Sequence, residues 1–264
     1  MYEQEVGVAI RLAREGGSLA QAIAARGFAV ERKSANELVT EADRAVNEWI
    51  VSGLREAFPL DAIVAEETPD NGQRAARTWY VDPIDGTADF VKRNGEWCVM
   101  LGLAVEGHAV VGVVYQPHTD ELYAAVSGGG AWRHHGGEVA PVVSRGHREE
   151  GWVLIESRSH PDAVASRLGD TLRVSGRFAH GSLGCKLARI AEGRADIYAN
   201  GSGRCHQWDT CAGEVVLRES GGDLRTATGQ RIQYGGRDSR IAVPFIAATT
   251  AAWPAIDKVL HELL

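Results

Sequence analysis

The chain has 264 residues, of which 44 % are hydrophobic and 24 % charged, a length and balance that suit one large α/β domain or two packed subdomains and exclude disordered and fibrous architectures. Lys and Arg total 28 against 35 Asp and Glu, a formal net charge of −7. With neither a basic excess nor a basic stripe, a nucleic-acid polymer is excluded as partner, whereas a small anion remains admissible if bound cations reverse the local field.

Met1-Tyr2-Glu3-Gln4-Glu5 is acidic where a secretory signal is basic, so a cytoplasmic location is expected. Val6, Ala9, Ile10, Ala13, Leu19, Ala20, Ile23 and Ala24 recur at helical period over residues 1–26. Gly16-Gly17 interrupts them and predicts a kink or a close helix–helix approach. A second helix is predicted from Thr40, burying Ala42, Ala45, Val46, Trp49, Ile50 and Leu54 ahead of Pro59. Short β-rich runs follow at 62–65, 79–81, 98–105, 109–116 and 121–126, and their Gly-containing turns predict a largely antiparallel sheet. Gly128-Gly129-Gly130 and residues 133–138 read as loops.

Beyond residue 145 the pattern alternates: strand 152–156, helix 161–168, strand 172–174, helix 183–192, strand 195–198, helix 209–220. Such alternation indicates βαβ units. Two packed subdomains are expected, an α+β unit over 1–145 and an α/β unit over 146–264. The apolar stretch 241–256 is broken by Pro244 and Pro254 and is too short to span a bilayer. Cys98, Cys185, Cys205 and Cys211 lack structural-zinc spacing. Cys205, His206 and Cys211 lie close in sequence, but without a second pair reduced thiols are the expectation.

The chemistry concentrates in acidic segments. Asp82-Pro83-Ile84-Asp85-Gly86-Thr87 follows a predicted strand, with proline stiffening a turn on which both carboxylates can face one way. Two aspartates and the Ile84 carbonyl suit a hard cation such as Mg²⁺, and a helix start at Thr87 suits a phosphate oxygen. The same residues also fit ordinary Asp-Gly turn chemistry. Glu66-Glu67 lies just past a strand, and a solvated loop is its plainer reading. Asp209 lies at a helix start, where an N-cap is the plainer one. Asp43 is a capping-box acid for Thr40 if it is nothing more.

In order and spacing, Leu38-Val39-Thr40-Glu41-Ala42-Asp43, Glu66-Glu67, Asp82 to Thr87, and Trp208-Asp209 with Gly213 resemble the inositol monophosphatase superfamily of Mg²⁺-dependent, lithium-sensitive phosphatases. The resemblance runs from about residue 5 to residue 250. Four segments look most like the bacterial 3′(2′),5′-bisphosphate nucleotidases: Phe90 to Glu96, Ser157-Arg158-Ser159-His160, Gly181 to Lys186, and Trp208 to Ala212. Those nucleotidases usually carry Lys-Glu after Asp-Gly-Thr, whereas this chain has Ala88-Asp89.

The resemblance implies a layered αβαβα sandwich, its first sheet mostly antiparallel and its second mixed. It implies two or three Mg²⁺ ions on Glu66, Asp82, the Ile84 carbonyl, Asp85 and Asp209, with Mn²⁺ as a substitute and Li⁺ and Ca²⁺ as inhibitors. Asp43 and Thr87 would orient the attacking water, with Glu66 assisting. Asp85, Gly86, Thr87, His160, Ser182, Gly184, Lys186 and Asp209 would contact substrate. The implied activity is removal of the 3′-phosphate of adenosine 3′,5′-bisphosphate, or of its sulfated analogue, by a monomer or homodimer. The same chemistry on inositol, another sugar or histidinol phosphate is the alternative. As ordinary surface residues, Lys186 would be a solvated helix-face lysine and His160 a loop histidine.

Overall fold

The computed structural model describes residues 1–34, 37–68, 75–146, 149–236 and 238–263. Helix α1 (Glu3–Arg26) is followed by the antiparallel pair β1 (Val30–Arg32) and β2 (Leu38–Thr40), then helix α2 (Glu41–Ala57). Helix α1 runs unbroken through Gly16-Gly17, so close approach, not a kink, explains the pair. A Cβ at Gly16 would lie 3.0 Å from Val46 of α2, and one at Gly17 2.6 Å from the Pro117 ring. The α2 stripe that packs inward is Ala42, Val46, Ile50 and Leu54, a four-residue repeat. Trp49 falls off that stripe and is 50 % exposed, against the expectation that it is buried; its indole N–H donates to Glu15.

The first sheet has seven strands in chain order: β3 (Ala62–Ala65), β4 (Arg77–Asp85), β5 (Cys98–Val105), β6 (His108–Gln116), β7 (Glu121–Val126), β8 (Gly130–His135) and β9 (Glu138–Pro141). Helix α3 (Thr87–Lys92) separates β4 from β5. Only β3–β4 is parallel. Residues 133–138, expected as a loop, form the β8–β9 hairpin around Gly136-Gly137. Strand β9 is exposed along its length, so no apolar alternation marks it.

The second half contains β10 (Val153–Ser157), α4 (Ala163–Leu172), β11 (Gly176–His180), α5 (Leu183–Ala191), β12 (Ile197–Asn200), β13 (Cys205–His206), α6 (Gln207–Glu219), β14 (Gly222–Thr226), β15 (Arg240–Ile241), β16 (Phe245–Thr249) and α7 (Trp253–Leu263). Its five-stranded sheet has the order β11-β10-β12-β16-β14, parallel at β10 and antiparallel around β16. The strand expected at 172–174 is displaced. Helix α4 continues to Leu172 and ends in a left-handed Arg173. Its successor β11 is a sheet edge with Arg177, Phe178 and Ala179 exposed.

The result is a layered α/β sandwich of αβαβα form. Helices α1 and α2 cover one face of the seven-stranded sheet. Helices α5 and α6 fill the space between the sheets, and α4 and α7 cover the far face of the second. Strand β5 shows the division: Cys98 and Met100 face the middle layer, and Val99, Leu101 and Leu103 face α1 and α2. Among the described residues no helix is long and apolar enough to cross a membrane.

Two glycines seat the middle layer. Gly102 and Gly112 pair across β5 and β6, and α6 lies directly on them. A Cβ at Gly102 would come within 2.6 Å of Cys211 Sγ, and one at Gly112 within 2.1 Å of the Ala212 carbonyl oxygen. Cys211 is thereby buried against the sheet. Cys205 and His206 form β13, which pairs with β15. Gly112→Ala is expected to destabilise the protein by about 2–3 kcal/mol through overpacking. Urea unfolding measures this, and a loss below about 0.5 kcal/mol, the range of a neutral surface change, would show that α6 is not locked there.

Candidate active site

The site forms where β4 ends. Asp82 pairs with Met100 and Asp85 with Cys98, so three steps on β4 match two on β5. This bulge puts both aspartates on the face of the middle layer, although residues three apart in a regular strand face opposite ways. The segment expected as a proline-stiffened turn is therefore a bulged strand end. Asp82 is 2 % exposed, and its Oδ1 accepts the Ile84 amide at 3.0 Å.

Helix α6, seated on the glycine pair, brings Asp209 to the same place. The helix starts at Gln207, and Asp209 is its third residue, not the N-cap: its Oδ2 accepts the His206 amide at 2.6 Å. Burial raises the Asp209 carboxyl well above the carboxylate range, and the charge of Asp85 adds to that; the hydrogen bond from the His206 amide opposes it. Asp82 is raised likewise by burial and then by Glu66, Asp85 and Asp209. Buried like charges of this kind share protons unless a cation intervenes.

Asp85 is held from α5. Its Oδ2 accepts the Ser182 hydroxyl at 2.7 Å and the Gly184 amide at 2.6 Å. Ser182 caps α5 at φ 29°, a strained backbone that persists because Asp85 and the Cys185 amide hold its side chain from both sides. A Cβ at Gly184 would overlap Met100 Sδ at 2.3 Å. The start of α5 is braced further out, where Arg158 grips Glu96 through two 2.6 Å bonds and Glu96 accepts the Gly181 amide at 2.7 Å. Asp89, at the position that departs from the nucleotidase pattern, is buried against Gly181 and accepts Asn94 Nδ2 at 2.6 Å.

Asp43 and Thr87 come together. Thr87 Oγ1 lies 3.0 Å from Asp43 Oδ1 and 3.2 Å from the Ile84 carbonyl. Asp43 Oδ2 accepts the Thr40 amide at 2.7 Å and the Thr40 hydroxyl at 2.5 Å. The capping-box reading of Asp43 and its pairing with Thr87 therefore both hold, one through each carboxylate oxygen. Burial raises the Asp43 carboxyl, and its hydrogen bonds with Thr40 and Thr87 limit the rise. Gly86, at φ 94°, turns the chain from β4 into α3 beside Ser182, where a Cβ would meet the Glu96 carbonyl at 3.0 Å.

Glu66 follows β3, its amide bonded to the Val81 carbonyl at 3.1 Å. Its carboxyl is pushed up to about 7, by lost hydration first and then by Glu67 and Asp43; Lys33 opposes the rise. Among the described residues no three His, Cys, Asp or Glu side chains are already drawn around a common centre; each carboxylate is engaged by a local donor. The donor set nevertheless fits a hard divalent cation, being all oxygen, mostly buried and mutually repulsive.

Lys186 is neither a solvated lysine nor an open-pocket one. It is 3 % exposed, donates to the Gly181 carbonyl at 2.7 Å and lies over the Tyr198 ring at 5.3 Å. Burial lowers its pKa, and the charge of Asp85 opposes the fall. His160 is exposed on the rim beyond β10, on a loop tied to α3 by Lys92 and Ser159 at 3.3 Å. Sequence reasoning missed Lys33 and the active-site contacts of Cys98. Cys98 Sγ lies 3.1 Å from Ser182 Oγ. A lone basic residue in a polar turn carries no pattern that marks it.

The chain matches the model of the inositol monophosphatase family over residues 1–263. It is 34 % identical over 236 residues to the 3′(2′),5′-bisphosphate nucleotidase CysQ of Escherichia coli O157:H7, covering 87 % of this chain and 93 % of that protein. It is 31 % identical over 274 aligned positions to inositol monophosphatase 3 of Solanum lycopersicum, covering 98 % and 97 %. The crystal structure of CysQ from Bacteroides thetaiotaomicron superposes with a TM-score of 0.81 at 27 % identity, covering 94 % of this chain and 98 % of that one.

The carboxyl cluster sets a pH dependence. Glu66 binds its proton more tightly when folded, about 7 against an ordinary 4.5, so its contribution is complete below about 4.5 and is lost as pH rises through about 7. Metal-free protein is expected to lose thermal stability across that window. Mg²⁺ should raise the melting temperature more at about pH 7.5 than at about pH 5. Calorimetric scans with and without Mg²⁺ test this; a metal-free melting temperature that climbs across the window would contradict it.

Proposed function

Because the chain belongs to the inositol monophosphatase family, we propose that it is a Mg²⁺-dependent phosphomonoesterase that hydrolyses the 3′-phosphate of adenosine 3′,5′-bisphosphate to AMP and phosphate. The observation that supports the chemistry is the placement of Asp82 and Asp85 on one face of the β4 end, with the Asp43–Thr87 pair formed by Thr87 just beyond it. The nucleotide preference rests on the likeness to CysQ nucleotidases.

Glu66, Asp82, the Ile84 carbonyl, Asp85 and Asp209 hold the ions, whose chemistry is to acidify water and to stabilise charge on the transferred phosphoryl oxygens. The rest falls to the chain's own groups. Asp43 accepts the Thr87 proton, leaving the Thr87 oxygen free to take a proton from the attacking water. The raised Asp43 carboxyl is a better base than a solvated aspartate. Amides at Gly86 and Thr87 orient the phosphate. His160 on the rim meets the nucleoside, while Ser182, Gly184 and Lys186 act from beneath by fixing Asp85 and the Gly181 turn.

Inositol 1-phosphate is the second reading, favoured by the end-to-end similarity to the tomato inositol monophosphatase and by Ala88-Asp89 in place of Lys-Glu. Phosphate release from the two esters, measured side by side with Mg²⁺, discriminates them. The nucleotide is expected to be preferred, and a preference of about a hundredfold for the inositol ester would reverse the assignment. Asp85→Asn should cut Mg²⁺-dependent turnover by about a thousandfold with the fold intact by circular dichroism. Millimolar Li⁺ should inhibit the wild type.

A further inference from the structure

The carboxylates of the site are neutralised by different kinds of partner. Asp85, Asp209 and Asp43 receive hydrogen bonds from backbone amides and short hydroxyl side chains, all fixed by helix starts. Glu66 and Glu67 are instead ion-paired, and among the described residues Lys33 is the cation that pairs with both. Lys33 Nζ lies 2.9 Å from Glu66 Oε1 and also contacts Glu67 Oε1. The lysine side chain is 26 % exposed and that of Glu67 only 7 %.

The lysine directly follows β1, a strand that belongs to neither large sheet. Among the described residues strands β1 and β2 pair only with each other, β1 is exposed throughout, and the Lys33 amide is bonded to the Glu37 carbonyl at 3.0 Å. An ammonium hydrogen-bonded to a carboxylate oxygen occupies the approach that a divalent ion needs, since an ion coordinates such an oxygen at about 2.0–2.1 Å.

We propose that Lys33 is a resident counter-cation of Glu66 and Glu67 that competes with the divalent ion for the Glu66 carboxylate, and so sets the metal affinity of the site. The inference rests on the metal reading of Glu66 given above. While the ion is absent, Lys33 limits repulsion at the mouth of the cluster. When the ion enters, Lys33 gives up Glu66 and keeps Glu67.

Mn²⁺ titration followed by the free-ion EPR signal measures affinity without turnover, in the wild type, K33Q, K33R and E66Q. K33Q is expected to bind Mn²⁺ about three- to tenfold more tightly, the scale of one partly screened charge, while K33R, which keeps the charge, stays closer to the wild type. Metal-free K33Q should also melt below the wild type and gain more from added Mn²⁺. Equal or weaker Mn²⁺ binding by K33Q overturns the proposal. If E66Q binds Mn²⁺ as tightly as the wild type, or the wild type binds none, the metal reading of Glu66 fails first and the competition with it.

Discussion

Mutual repulsion of carboxylates that the fold holds together is the constraint on which the rest of this structure depends. Two unit charges about 4 Å apart at an effective dielectric near 20 repel by roughly 4 kcal/mol, a large part of a domain's net stability. Three of the acids are accordingly given donors built into element starts: Thr40 for Asp43, His206 N for Asp209, Ser182 and Gly184 for Asp85. Helices α2, α5 and α6 all begin at the site, and each contributes positive dipole there as well as free amides.

Precision in this arrangement comes from places with little chemistry of their own. The bulge at Pro83-Ile84 turns Asp82 and Asp85 to one side. The Gly102–Gly112 pair lets α6, which carries Asp209, sink onto the sheet. The Arg158–Glu96–Gly181 chain steadies the strained Ser182. These supports sit one layer behind the carboxylates, and their tolerance to substitution is set by close packing.

Much of this was legible in the chain. The apolar runs of β3, β5, β6 and β7 are buried on both faces and announce themselves without ambiguity, whereas Asp43, Asp82, Asp85 and Asp209 stand out only through the family resemblance of the segments that carry them. What escaped had a physical reason. Strands β9 and β11 are sheet edges whose residues are exposed, so hydrophobic period says nothing of them. Trp49 is large and apolar but lies off the α2 stripe, and residue type misled where position decided. The bulge, the burial of Lys186 and the reach of Lys33 across to Glu66 are tertiary facts, set by neighbours distant in sequence.

Helix α6 lies between the sheets and packs on both, and it carries the last acid of the cluster. During synthesis the ribosome releases Glu66, Asp82 and Asp85 long before Asp209. A nascent chain therefore holds an incomplete set of acids until its middle layer has been made and closed over. A product truncated before α6 would carry Asp82 and Asp85 without Asp209, and without the helix that packs between the two sheets.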